Sequence, residues 1–259
     1  MKFSQYILLT ENQAHYISNI DAKEYLKTKC QHTIANDIKL YRGMPSNDEY
    51  QIGNAEFNTP RRSANTTNYS TLIVDNSPEW QPYPRRSKSY ICTTELHYAK
   101  GYGSAYRVYP FDTANIGICT GSDFWYSFPA LKQIDIYDID TFNLELDQIL
   151  FYLYNQTRRN DTTFDNIKKG CAVVDQVLDS VNYEYNHLTN KLDRQDKIVL
   201  KTFTFNKRPM LQGIMDLLSP LKNRFKHAKI TQLTSLPNDI EVWTDSPCIF
   251  ELTNTGKIT

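Results

Sequence analysis

The hydrophobic period of this chain changes twice along its length, and that change restricts the fold more than any composition figure does. Short runs suited to strands come first, at 38–44 (IKLYRGM), 89–91 (SYI) and 105–111 (AYRVYPF). The pattern then switches to helical apolar spacing over 142–156 (FNLELDQILFYLYNQ) and 164–188 (FDNIKKGCAVVDQVLDSVNYEYNHL), as expected for helices with one buried stripe. Strand signals return at 197–205 (KIVLKTFTF), 240–245 (IEVWTD) and 248–252 (CIFEL), after which only a short polar tail remains. A helix over 210–218 lies between them and stops at Pro220. Short strands at both ends of a helical middle predict an α+β fold. No Gly-, Pro- or Ser-rich linker borders the helical stretch, so the expectation for these 259 residues is a single domain with a helical insertion over about 140–220.

Other segments fill in the outline. Residues 12–36 read as helix, with Tyr16, Ile20, Tyr25 and Leu26 spaced for one face. The polar stretch 45–71 reads as an extended surface loop, and Pro78, Pro82 and Pro84 favour extended chain after it. A short helix is predicted over 95–102. Lys and Arg number 29, matching 29 Asp and Glu, so no global field draws the chain to nucleic acid or to an anionic membrane. The basic knots Arg61-Arg62, Arg85-Arg86-Ser87-Lys88 and Arg158-Arg159 read as solvated surface. Five scattered cysteines without a CxxC pair signal neither a zinc site nor a disulfide framework, and a reducing cytoplasm is the expected compartment. No apolar run is long enough to span a bilayer, and Tyr6-Ile7-Leu8-Leu9 is too short for a secretory segment. Leu9-Thr10-Glu11 resembles the trimming signal of internal head proteins of tailed bacteriophages. That likeness implies a phage-encoded protein working in the host cytoplasm or packaged in the virion.

Three strand-borne motifs stand in order: Tyr41-Arg42-Gly43, then Tyr90-Ile91-Cys92-Thr93-Thr94 followed by Ala99 and Tyr102, then Asp239-Ile240-Glu241-Val242. With the closing run EVWTDSPCIFEL, this series resembles the ADP-ribosyltransferase superfamily, specifically its Arg–Ser–Glu branch. The resemblance covers 38–111 and 228–252 and leaves the helical middle without a counterpart. It implies a split β-sandwich of two antiparallel sheets around a cleft, with helices at the N-terminus. It further implies NAD as substrate, a macromolecular acceptor and no metal; the balanced charge favours protein over nucleic acid as that acceptor.

The residue types suit that chemistry. Breaking the nicotinamide–ribose bond creates an oxocarbenium-like cation, which the Glu241 carboxylate would stabilise. Arg42 would grip the pyrophosphate or adjoining ribose through its planar fork. By the resemblance, Gly43, Cys92, Thr94 and Tyr102 complete the NAD-binding set, Thr93 joins Glu241 in the catalytic set, and Asp239 faces the acceptor, where a carboxylate suits a cationic side chain. Cys92 stands where the family has its first serine. A thiol is the weaker donor, so either Cys92 orients Glu241 less firmly or Thr93 does so instead. A non-catalytic binder of NAD, of ADP-ribose or of a partner protein is the competing class. Plainer roles exist for each residue: Arg42 in a surface ion pair with Asp48 or Glu49, Thr93 and Thr94 as helix caps, Glu241 as an edge-strand charge. Trp80, Trp125, Trp243 and the cluster 123–128 (DFWYSF) read as core or pocket wall.

Overall fold

Nine short strands take up the extended segments of the chain: β1 (Ala14–Tyr16), β2 (Tyr41–Met44), β3 (Tyr50–Gly53), β4 (Tyr90–Thr93), β5 (Ser104–Pro110), β6 (Asn115–Ile118), β7 (Lys226–Lys229), β8 (Glu241–Thr244) and β9 (Cys248–Leu252). These come from a computed structural model that describes residues 14–55, 60, 68–154, 163–179, 197, 200 and 208–253. The leader-like start, Arg61-Arg62, Arg158-Arg159 and the strand expected at 197–205 fall wholly or mainly outside the described residues. Contacts group the chain into two compact units, one of Met1–Arg61, Pro82–Phe124 and Phe225–Thr259, the other of Arg62–Gln81 and Trp125–Arg224.

Among the described residues the first unit carries every strand. All pairings are antiparallel, in the order β1-β3-β9-β5-β2-β4-β8-β6-β7. The two sheets expected from the sequence are therefore one hydrogen-bonded succession. It narrows sharply at its middle: β2 meets β4 through the single pair Tyr41–Thr93, whereas β2 meets β5, and β4 meets β8, over four residues each.

Alternation along the strands sorts their side chains onto two faces. One face builds the main core, in which Leu40, Met44, Tyr90, Cys92, Tyr106, Val108, Ile116, Val242 and Phe250 are buried together. The opposite face of β3, β5 and β9 offers Tyr50, Tyr109 and Ile249 to helix α1 (Asn19–Lys29), which covers them with Ala22 and Leu26. The helix expected over 12–36 thus begins as strand β1 and continues as α1 and, after Cys30, a short helix α2 (Gln31–Ala35), and its buried side differs from the expected one. Tyr16 and Ile20 are exposed, while Ala22 is fully buried. Strand β3 lies inside the stretch read as a polar loop. Four residues among polar neighbours carry no periodic signal; pairing with β1 and β9 makes them a strand.

The second unit is helical. Helix α5 (Ile139–Tyr154) buries Ile139, Phe142, Leu146, Ile149 and Leu150, and α6 (Phe164–Asp179) buries Ile167, Cys171 and Val174. Both stripes follow the spacing read from the sequence. A helix not foreseen in the polar stretch, α3 (Tyr69–Asn76), joins them: the Tyr69 hydroxyl donates to Asp147 at 2.9 Å and the Ser70 N–H to Asn143 at 2.9 Å. Pro78 opens a single 3-10 turn where extended chain was expected, since a proline is tolerated at a helix's first position. Among the described residues no helix is long and apolar enough to cross a membrane.

All five cysteines are free and buried. Burial pushes the Cys30, Cys92 and Cys171 thiols up from an ordinary 9.0 to about 12, and the Cys248 thiol is raised well above its ordinary value for the same reason. Above pH 9 an unfolded chain releases thiol protons that the folded chain retains, so the folded state binds more protons and stability falls as pH rises. Chemical denaturation between pH 8 and pH 11 is expected to show a midpoint that declines from about pH 9 upward. A flat midpoint would contradict the burial of these thiols.

Candidate functional site

The three motif strands are consecutive neighbours. Strand β4 lies between β2 and β8, with Tyr41 opposite Thr93 and Thr93 opposite Glu241. Directly opposed residues in an antiparallel pair share a face. Ile91, Thr93, Trp243 and Glu241 therefore stand on one face of β4 and β8, and Tyr90, Cys92, Val242 and Thr244 on the other. The structure brings Thr93 and Glu241 together and turns Cys92 into the main core beside Tyr90 and Val242. Of the two alternatives left open by the sequence, the strand register favours Thr93 as the residue facing Glu241.

Glu241 opens an interior strand, which removes the edge-strand explanation for its charge. Its backbone continues the ladder beyond β6: the Cys119 N–H donates to the Glu241 carbonyl at 2.9 Å, and the Glu241 N–H to the Gly121 carbonyl at 2.9 Å. The carboxylate is held on both oxygens. Oε1 makes an ion pair with Arg86 Nη1 at 2.6 Å, the two side chains being 10% and 8% exposed, and lies 3.8 Å from the Cys119 thiol. Oε2 accepts from the Phe124 N–H at 3.3 Å.

Arg86 is itself tightly housed. Its guanidinium carbon lies 4.3 Å from the centroid of the Phe124 ring and 5.4 Å from that of Trp243, within range for cation–π attraction. Burial works against the charged form, yet the Glu241 carboxylate and, more weakly, Cys119 and Asp123 hold its pKa above the ordinary arginine value. The segment that presents it is fixed to β8: the Trp243 indole N–H donates to the Pro84 carbonyl at 3.0 Å and the Arg85 N–H to Asp245 at 3.0 Å. Ser89 closes the short 3-10 turn Arg86–Lys88 by donating to the Arg85 carbonyl at 2.7 Å. The basic knot read as solvated surface is thus divided. Arg85 is exposed and Arg86 is buried.

Arg42 is also buried, which removes its reading as a surface ion-pair partner of Asp48 or Glu49. Its Nη1 donates to the Ile91 carbonyl at 2.7 Å, and its guanidinium carbon lies 5.9 Å from the Tyr90 ring centroid. Arg42 is therefore on the Cys92 side of β4 and Glu241 on the Thr93 side. Arg42, Thr93 and Glu241, expected to converge on one cleft, therefore do not share a face: Thr93 and Glu241 do, while Arg42 lies against Tyr90 and Ile91 at the start of β4.

The remaining motif residues shape the backbone around the Thr93 end of β4. The Thr93 hydroxyl accepts from the Glu95 N–H at 3.1 Å, so its capping role is real alongside its position opposite Glu241. Thr94 is tied to Ile240 twice, its hydroxyl accepting from the Ile240 N–H at 3.1 Å and its own N–H donating to the Ile240 carbonyl at 3.1 Å. Asp239, exposed and left-handed at φ 56°, sits beside Tyr98, whose phenol its charge and hydrogen bond hold above the ordinary value. Gly43 lies under the helix α4 (Leu96–Lys100), where an added Cβ would sit 2.2 Å from the Ala99 carbonyl and 2.7 Å from the Tyr102 Cβ. The motif residues Gly43, Ala99 and Tyr102 are therefore mutual packing partners.

Compared with protein-family models, with curated proteins and with solved structures, the chain matches none. Sequence reasoning missed Arg86, the Phe124 N–H and Cys119, which hold Glu241. A run of Arg, Arg, Ser and Lys gives no sign of which cation turns inward; the nearby aromatic cluster at 123–128 was the available hint. Gly43→Ala is expected to destabilise the protein by about 1–3 kcal/mol, since the new methyl meets backbone atoms that cannot rotate away. Urea unfolding measures this, and an unchanged midpoint would refute the close approach of α4 to β2.

Proposed function

We propose that the chain is an ADP-ribosyltransferase that takes NAD and transfers ADP-ribose to a protein side chain, through a site at the end of β4. The observation that supports it most is the adjacency of the three motif strands. β2, β4 and β8 lie side by side, although their motifs are scattered across the chain. The narrowing of the sheet to one pair between β2 and β4 supports the split-sandwich form of the fold.

In this reading Glu241 supplies negative charge beneath the ribose as the bond to nicotinamide breaks, where positive charge develops on the sugar. A buried carboxylate suits this task because neighbouring water does not screen it. Arg42, buried on the other side of β4 and held by the Ile91 carbonyl, supplies a fixed planar cation that meets the pyrophosphate around that strand. Thr93, opposite Glu241, lines the approach to the carboxylate. Asp239, exposed on the loop that leads into β8, faces the acceptor.

A specific observation favours the second reading, a non-catalytic binder built on the same scaffold. Both carboxylate oxygens of Glu241 already have protein partners, and Arg42 lies across β4 from it. Isothermal calorimetry with NAD, together with nicotinamide release in the presence of a cell lysate, separates the two. For the enzyme, Glu241→Gln is expected to keep NAD affinity within a few-fold and lower turnover by about 100-fold or more. Arg42→Lys is expected to weaken NAD binding by about tenfold, because a point charge replaces the fork. Binding of NAD without nicotinamide release by the wild type, whatever acceptor is present, would establish the binder instead.

A further inference from the structure

The chemistry above assigns no part to Arg86, although it is the strongest partner that Glu241 has. We propose that Arg86 is a positioning residue of this site, fixing the Glu241 carboxylate in one orientation. The inference rests on the transferase reading for its catalytic consequence, but its structural half stands on the ion pair itself.

Three features support it. The pair is short, at 2.6 Å, and both partners are nearly inaccessible to water, so the attraction is weakly screened. Arg86 cannot swing freely, because its guanidinium lies against the Phe124 and Trp243 rings and its backbone turn is closed by Ser89. The same Phe124 supplies the N–H to the second carboxylate oxygen, so one residue both packs the arginine and anchors the glutamate. Carboxylate orientation is thereby set at two points, which a single threonine hydroxyl could not achieve. The other titratable groups around the pair are Cys119, beside Glu241 Oε1, Cys92 on β4, which senses the Glu241 charge, and Asp123, which acts on Arg86. None of these offers a second cation that could replace Arg86.

The test uses the full chain carrying Arg86→Gln and, as the milder change, Arg86→Lys. The first readout needs no activity: the carboxyl resonance of Glu241, labelled with carbon-13 and assigned through Glu241→Gln, is recorded by NMR at pH 7. With Arg86→Gln this resonance is expected to shift and broaden relative to the wild type, because the carboxylate loses the charge-assisted contact that fixes one orientation. Arg86→Lys is expected close to the wild type. The second readout is nicotinamide release. Arg86→Gln is expected to lower kcat by about tenfold or more with KM for NAD unchanged. Arg86→Lys should recover part of kcat. Should Arg86→Gln fail to fold, Arg86→Lys decides, through a kcat below the wild type at unchanged KM.

A wild-type carboxyl resonance and kcat in both variants would overturn the proposal and leave the transferase reading intact. A rise in kcat on removing Arg86 would overturn it too, marking the arginine as an obstruction. A shifted and broadened resonance in a chain that never releases nicotinamide would uphold the positioning of Glu241 and overturn the transferase reading alone.

Discussion

Between β2 and β4 the ladder of backbone hydrogen bonds shrinks to the pair Tyr41–Thr93, and the Ile91 carbonyl takes a hydrogen from Arg42. Buried carbonyls must find donors, and where two strands part company a side chain has to supply one. A guanidinium does so while spreading its charge over the Tyr90 ring, which limits the cost of burying a cation. The position of Arg42 follows from where that pairing stops, whereas the register of β4 on β8 turns Cys92 into the core and sets Thr93 opposite Glu241.

On the far side of β4 the problem has the opposite sign. Glu241 places a carboxylate at the start of an interior strand, and Arg86 neutralises it from a turn pinned to β8. Buried ion pairs add little net stability compared with apolar packing of the same volume. A chain selected for stability alone has no need of one here. Arg86 and Glu241 together place a defined charge pattern beside the β4 strand end, and the aromatic rings of Phe124 and Trp243 keep it rigid.

The outline of the fold was legible wherever a segment carried its own periodic signal. The β5, β8 and β9 segments and the buried stripes of α5 and α6 are examples, because alternation or helical spacing of apolar residues records which face meets the core. The β3 segment and α1 show the limit. Tyr50–Gly53 becomes a strand through partners at 14–16 and 248–252, and the face by which α1 lies on Tyr50, Tyr109 and Ile249 buries Ala22 and leaves Ile20 exposed.

The candidate site divides in the same way. By itself the sequence determined the residue types and their order, an arginine before a glycine, hydroxyls at a strand end, and a late glutamate, and these are local properties of short segments. Tertiary structure alone decided that β2, β4 and β8 would be neighbours, that Thr93 and not Cys92 would stand opposite Glu241, and that Arg86 would turn inward while Arg85 stayed in water. Strand register has a period of two, so a shift of one residue exchanges the faces. A charge run has no period at all, and only the carboxylate that awaits it across the fold selects which of its cations is buried.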